Sequence, residues 1–181
     1  MKITISSLPG AGSSTAARLL AKQLNIPRID AGEIWDAIAA ERGLDVLGLN
    51  LAAEKDKSID VALDEKMLEY ARAPGDRLLE ARLIGWLCAQ HHIDALKVWV
   101  ECPLPIRAAR VAAREHADLT TMIGETETRE TSEAKRYKMF YDIDMHDLSI
   151  YDLVIDSSQR APEAIVDAVV AQLGMRRSAM H

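Results

Sequence analysis

Ser7-Leu8-Pro9-Gly10-Ala11-Gly12-Ser13-Ser14 is a stretch suited to holding an anion. A β-branched run, Lys2 to Ser6, precedes it, and an amphipathic run to Leu24 follows, with Ala17, Leu20, Ala21 and Leu24 on one face. Strand, small-residue loop and helix start turn their free backbone N–H groups into one concavity, the geometry of a phosphate cradle. The usual fingerprint is Gly-x-x-x-x-Gly-Lys-Ser/Thr. Gly12 and the Ser14 hydroxyl fit it, but Ser7 stands at the first glycine and Ser13 at the lysine. Taken alone, the stretch reads equally as a tight turn before a Ser-capped helix. Phosphoryl transfer also needs positive charge around the moving group. Arg107, Arg110 and Arg114 are spaced to share one helix face, and Arg129 and Arg136 another. Each set reads otherwise as a solvated basic face. Among the acids, Asp60 and Asp64 lie one helical turn apart, and Glu80 closes an apolar run two residues before Arg82.

The elements that must position these residues alternate along the chain. Strands are expected at Lys2–Ser6, Arg28–Ala31, Leu78–Glu80, Leu96–Val100 and Tyr151–Asp156. Between them lie helical patterns at Glu33–Arg42, Leu44–Tyr70 (with polar breaks near Lys55 to Ser58), Leu83–Gln90, Pro103–Glu115 and Thr120–Tyr141. A last helix opens at Pro162, and the tail from Gly174 is expected to fray. Alternating strands and helices predict an α/β fold, a parallel sheet covered by helices. Ligands then bind at the carboxyl ends of strands, which brings Ser7–Ser14, Asp30–Glu33, Glu80–Arg82, Glu101 and Asp156–Arg160 to one rim.

The 181 residues suit one compact domain, and 49% hydrophobic with 28% charged residues is ordinary for a globular protein. A net charge of −6 argues against a general nucleic-acid binder but leaves room for a small phosphorylated ligand held by local arginines. Cys88 and Cys102, in apolar segments without metal-type spacing, read as buried free thiols. No signal-peptide pattern or membrane-length apolar run occurs, so no membrane association is expected and the cytoplasm is the expected compartment. Trp35, Trp86 and Trp99 are expected in the core, and His91 and His92 at the surface.

Several segments together resemble the archaeal-type cytidylate kinases, a branch of the nucleoside monophosphate kinases. They are ITISSLPGAGSST, AGEIWDAIAAERG, IDVALDEK, LLEARLIGW, VWVECPLPIRAARVAARE and SEAKRYKMFYDIDMHDLSIYDLVIDSS. The last is long and unusual, and is far more specific than the loop. The resemblance implies a three-layer P-loop fold with a five-stranded parallel sheet, a monophosphate-binding insertion at about 32–73 and a lid at about 118–148. It implies transfer of the ATP γ-phosphoryl group to CMP, with dCMP as a further acceptor, and Mg²⁺ as cofactor. Serine or threonine in place of the loop lysine is a trait of this family.

By the same resemblance, Ser7, Leu8, Pro9, Gly10, Ala11, Gly12, Ser13, Ser14 and Thr15 bind the donor phosphates, and the Ser14 hydroxyl binds the metal. Arg110 stacks on adenine, Arg114 reaches the ATP phosphates, and the segment from Ser157 to Arg160 lines the adenine pocket. Arg129 and Arg136, assisted by Lys135, are lid arginines that close on the phosphates. Arg82 grips the acceptor phosphate, in a Leu-Glu-Ala-Arg version of the family's Leu-Glu-Gly-Arg. Ala31, Gly32 and Glu33 begin the monophosphate-binding helix. Glu80 orients metal-bound waters or a ribose hydroxyl, with a salt bridge to a neighbour as the other reading. Asp60 and Asp64 either read the cytosine amino edge or are solvated helix acids. The partners implied are small-molecule nucleotides, for a monomer or weak dimer.

Some positions depart from the family pattern. Asp36 stands where related kinases carry an arginine, and Ala134 where they carry another lid cation. Arg28 and Lys66 are the candidates to supply the missing charge. These departures keep two other readings open: a kinase of another small acceptor, and a nucleotide-binding module without catalysis.

Overall fold

The computed structural model describes residues 1–178. Five strands form one all-parallel sheet: β1 (Lys2–Ser7), β2 (Arg28–Asp30), β3 (Arg77–Glu80), β4 (Leu96–Glu101) and β5 (Leu153–Asp156). Their order is β2-β3-β1-β4-β5, which puts β1 at the centre. The register pairs Ile5 with Glu80 and with Val98, and Glu101 with Asp156, so the strand ends meet along one rim.

The helices are α1 (Ser13–Leu24), α2 (Ala31–Glu41), α3 (Val46–Ala53), α4 (Lys57–Arg72), α5 (Ile84–Gln90), α6 (Leu104–Glu115), α7 (Leu119–Tyr141) and α8 (Pro162–Ser178). Side chains alternate across a strand, so β1 divides its residues between two faces. Ile3 and Ile5 pack with Ala17 and Leu20 of α1 and with Ile165 and Val169 of α8. On the opposite side lies an aromatic cluster: Trp86 stands edge-on to Trp99 and to Tyr151, and Trp99 is tilted against Tyr151, with ring centroids 5.0 to 5.4 Å apart. Aromatic rings favour such edge contacts over face-to-face stacking. Gly85 makes room for it, because a Cβ there would lie 2.5 Å from the Tyr151 ring. Trp35 is buried too, in a separate cluster with Leu49 and Ile59, and both cysteines are buried free thiols.

The polar break expected near Lys55 to Ser58 divides the helical stretch from Leu44 to Tyr70 into α3 and α4, where Asp56 leaves the helical path and caps α4 through the N–H of Ser58. One expectation needs revision. The chain does not fray at Gly174. Helix α8 continues to Ser178, with Leu173 in the core and Arg176 paired to Asp94 and Asp152. Among the described residues, no helix is long and apolar enough to cross a membrane.

Candidate active site

The loop from β1 to α1 is held in shape by two glycines and two arginines. Gly10 and Gly12 have φ of 80° and 88°, a region costly for residues with a Cβ. At Gly10 a Cβ would lie 2.5 Å from the carbonyl oxygen of Arg107. Ser7 and Ser13 hydroxyls meet at 2.7 Å, so the residue replacing the usual lysine is bonded within the loop. Gly12 caps α1 without a side-chain bond, which leaves the first-turn N–H groups to a ligand.

Arg107 is not part of a solvated basic face. It is 3% exposed and donates to the carbonyls of Cys102 (2.7 Å) and Pro9 (3.1 Å) while pairing with Glu130 of α7. It therefore fastens the loop to α6 and to α7. Arg110, one turn on, donates to Ser157 O at 2.8 Å and reaches the carbonyls of Gly10 and Ala11. It ties the loop to the segment after β5, next to the place expected for adenine. Arg114 is exposed, pairs with Glu115 at 2.7 Å and lines the mouth of the cleft.

The cleft has a volume of about 720 Å³ and runs from this loop, across the ends of β2 and β3, to α4 and α7. The loop residues 7–15 except Ala11, Arg110 and Arg114, the acceptor residues from Ala31 to Arg82 and the arginines 129 and 136 line it; Ser157 to Arg160, expected at the adenine pocket, do not. Glu80, at the end of β3, accepts from the Ser14 hydroxyl at 2.5 Å and from Arg28 at 2.8 Å. Burial raises its pKa, and the bonds from Ser14 and Arg28 oppose that rise. No cage of three or more His, Cys, Asp or Glu side chains exists among the described residues. The Ser14 hydroxyl and the Glu80 carboxylate nonetheless suit Mg²⁺, which binds hard oxygens and completes its shell with water and substrate phosphate.

Helix α7 lies over the side of the cleft formed by α3 and α4. Arg136 is buried and faces Asp60 at 3.4 Å and the carbonyl of Asn50 at 3.3 Å. Arg82 donates to Ser7 O at 2.7 Å and lies 3.0 Å from Glu133, which also accepts from Arg129 at 2.8 Å. Asp60 and Asp64 are not solvated acids: they are 5% and 9% exposed. Burial pushes the Asp60 carboxyl up to about 6, against the pull of Arg136. Burial pushes Asp64 up to about 7, against a 2.6 Å hydrogen bond from Tyr141.

The substitutes for the missing arginine fare poorly. Lys66 points to solvent, pairs with Glu69 at 2.9 Å and lies outside the cleft, because α4 turns it away from Asp60 and Asp64. Arg28 is consumed by Glu80, Asp30 and Glu33. Asp36 lines the cleft and is exposed. Lys135 is exposed and outside the cleft, and Ala134 packs on the aromatic cluster. Sequence reasoning missed Glu133, Asn50 and Tyr141, and missed the clamp made by Arg107 and Glu130. Glu133 had a visible signal: it lies four residues after Arg129 and three before Arg136, on the face the two arginines share.

A parallel sheet in this order, with a glycine-bearing loop at the end of its central strand, is the architecture of the P-loop kinases. Solved structures agree at the level of the fold. Shikimate kinase from Aquifex aeolicus has a TM-score of 0.64 at 17% identity, with 98% of each chain covered. A gluconokinase from Sinorhizobium meliloti 1021 has a TM-score of 0.67 at 12% identity, covering 99% of this chain and 94% of that one. Sequence comparison is more specific. Residues 2–159 match the cytidylate kinase-like family, and the chain belongs to that family. Among its relatives is a cytidylate kinase of Haloquadratum walsbyi, 42% identical over 175 residues, covering 96% of this chain and 89% of that protein. A cytidylate kinase of Methanocaldococcus jannaschii is 40% identical over 170 residues, with coverage of 93% and 95%.

Proposed function

We propose that this chain is an ATP-dependent kinase that phosphorylates CMP, with dCMP as a further acceptor. The observation that carries the reading is convergence on one cleft. A glycine-shaped amide cradle, a Ser14–Glu80 oxygen pair and the arginines 82, 129 and 136 all line it, in a chain of the cytidylate kinase-like family. The N–H groups of Gly10 to Ser14 hold the donor phosphates, and the fixed dipole of α1 favours the negative charge gathered there. Ser14, backed by Glu80, would hold Mg²⁺, and the ion would supply neutralisation of charge on the donor phosphates. Arg82 orients the acceptor phosphate. Arg129 and Arg136 supply, from the lid, the positive charge an ammonium gives in other phosphate loops, and α7 excludes water from the transfer. Asp60 and Asp64 read the base: an ionised carboxylate accepts from the cytosine amino group, and a protonated one donates to the ring nitrogen.

The chain acts as one kinase domain, with residues 32–73 as the monophosphate-binding insertion and 118–148 as the lid. It works in the cytoplasm as a monomer or weak dimer. Nucleic acid is not a partner, a reading supported by the net charge of −6.

Release of ADP, coupled to NADH oxidation and recorded across the common nucleoside monophosphates, tests the reading. The expected result is turnover with CMP well above that with UMP, AMP or GMP. Turnover no higher with CMP than without an acceptor contradicts it. Asp36 favours one second reading, a kinase of another small acceptor, because an acid at the cleft wall opposes a monophosphate. Higher turnover with a non-nucleotide alcohol than with CMP in the same assay selects that reading.

A further inference from the structure

Glu133 lies within α7 with its carboxylate turned into the cleft, 4% exposed. Cations ring it. Oε1 accepts from Nε of Arg129 at 2.8 Å, and Oε2 lies 3.0 Å from Nη2 of Arg82. Burial alone pushes this carboxyl up, but Arg82, Arg129 and Arg136 together hold it below the ordinary glutamate value. It is an anion set among arginines of the kind that a phosphate demands.

Its two ion pairs differ. Arg129 is one turn away on the same helix, so that pair travels with α7. Arg82 follows β3 in the body of the protein and also donates to Ser7 O, so its pair joins lid to core. The Arg82 pair is also incompletely made. It sits at ion-pair distance without an aligned N–H, and Glu133 Oε2 and Arg82 Nε are both buried with no hydrogen-bond partner. Buried ionic groups left short of partners are destabilising. A phosphate oxygen arriving at Arg82 offers Nε the acceptor it lacks.

We propose that Glu133 stands in for substrate phosphate: it occupies Arg82 while the cleft is free of nucleotide, ties the lid helix to the core, and yields Arg82 to the incoming phosphate. The inference rests on the phosphoryl-transfer reading of the cleft but not on the identity of the base. A carboxylate that must be displaced weakens anion binding below what the arginines alone would give. It competes for Arg82 again once transfer is complete, and so favours product release.

Glu133→Gln tests this, since it keeps the side-chain size and an oxygen to accept from Arg129 but removes the charge. The probe is inorganic pyrophosphate without nucleotide, titrated by calorimetry. The variant should bind it about tenfold more tightly than the unmodified protein. A folded variant that binds pyrophosphate equally or more weakly overturns the proposal. A second measurement needs no variant: in crystals of the unmodified protein soaked with pyrophosphate, Glu133 Oε2 should lie beyond about 4 Å from Arg82 Nη2. A retained 3.0 Å contact with pyrophosphate bound in the cleft overturns it. CMP turnover of the same preparation is recorded alongside. Failure of the exchange with turnover intact then counts against the role of Glu133 alone and leaves the kinase reading standing.

Discussion

Arg82 is bonded at once to the loop that would grip the donor and to Glu133 of α7 across the cleft. Its guanidinium suits a bidentate hold on phosphate, which a shorter side chain cannot reproduce. Arg82→Ala should raise KM for CMP about tenfold or more and lower kcat, while the Kd for ATP changes little. Steady-state kinetics with calorimetry checks this; a collapse of ATP affinity would place Arg82 in the donor site instead. At Gly10 the constraint is steric. Gly10→Ala forces a Cβ onto the Arg107 carbonyl at a positive φ, and should destabilise the fold by about 1–3 kcal/mol in chemical denaturation. Unchanged stability would mean that the loop does not need this close approach to α6.

At the scale of elements, α7 carries the account. It meets α3 and α4 through Arg136 and Tyr141, the loop through Arg107 and Glu130, and the end of β3 through Glu133. On the proposed role of α7 as a lid, its charge acts mainly in the transition state, so Arg136→Ala should lower kcat by about a hundredfold while KM for CMP shifts far less. Unchanged kcat removes Arg136 from the mechanism. Helix α4 gives a pH prediction. The Asp64 carboxyl is raised to about 7 in the fold, from an ordinary value near 3.8. Between those values the folded state holds a proton that the unfolded chain has lost, so stability falls as pH rises through this window and levels off above it. Thermal melts of the nucleotide-free protein should show Asp64→Asn losing less stability than the unmodified chain between about pH 5 and pH 8. Parallel pH profiles for the two would show that Asp64 is not the group responsible.

For the whole molecule, the frame was largely legible in the sequence because its signals are local. The β-branched runs at Ile3, Val98 and Ile155 and the alternation with amphipathic helices suffice to give a parallel sheet, and the rim rule then gathers most of the cleft. The division of 44–70 into α3 and α4 was legible as the polar break near Lys55 to Ser58, where Asp56 caps α4. What could not be read was pairing across the cleft. A solvated face stayed open as one reading of Arg107 because its partners, Pro9 and Glu130, are distant in the chain. Solvation stayed open as one of two readings of Asp60 and Asp64 for the same reason: their burial is completed by α7, with Tyr141 lying 77 positions after Asp64. Helix α8 outlasted its expected end: Leu173 packs in the core, and Arg176 pairs with Asp94 and Asp152 in the loops before β4 and β5.

The central claim is that a lysine-free amide cradle and arginines from other elements together move a phosphoryl group from ATP to CMP. Phosphorus NMR of the protein with ATP, CMP and Mg²⁺ observes that transfer directly. The account predicts that CDP and ADP resonances grow in equal amounts as ATP declines. ATP that persists beside CMP, or that is hydrolysed to ADP and inorganic phosphate with no CDP formed, would contradict it.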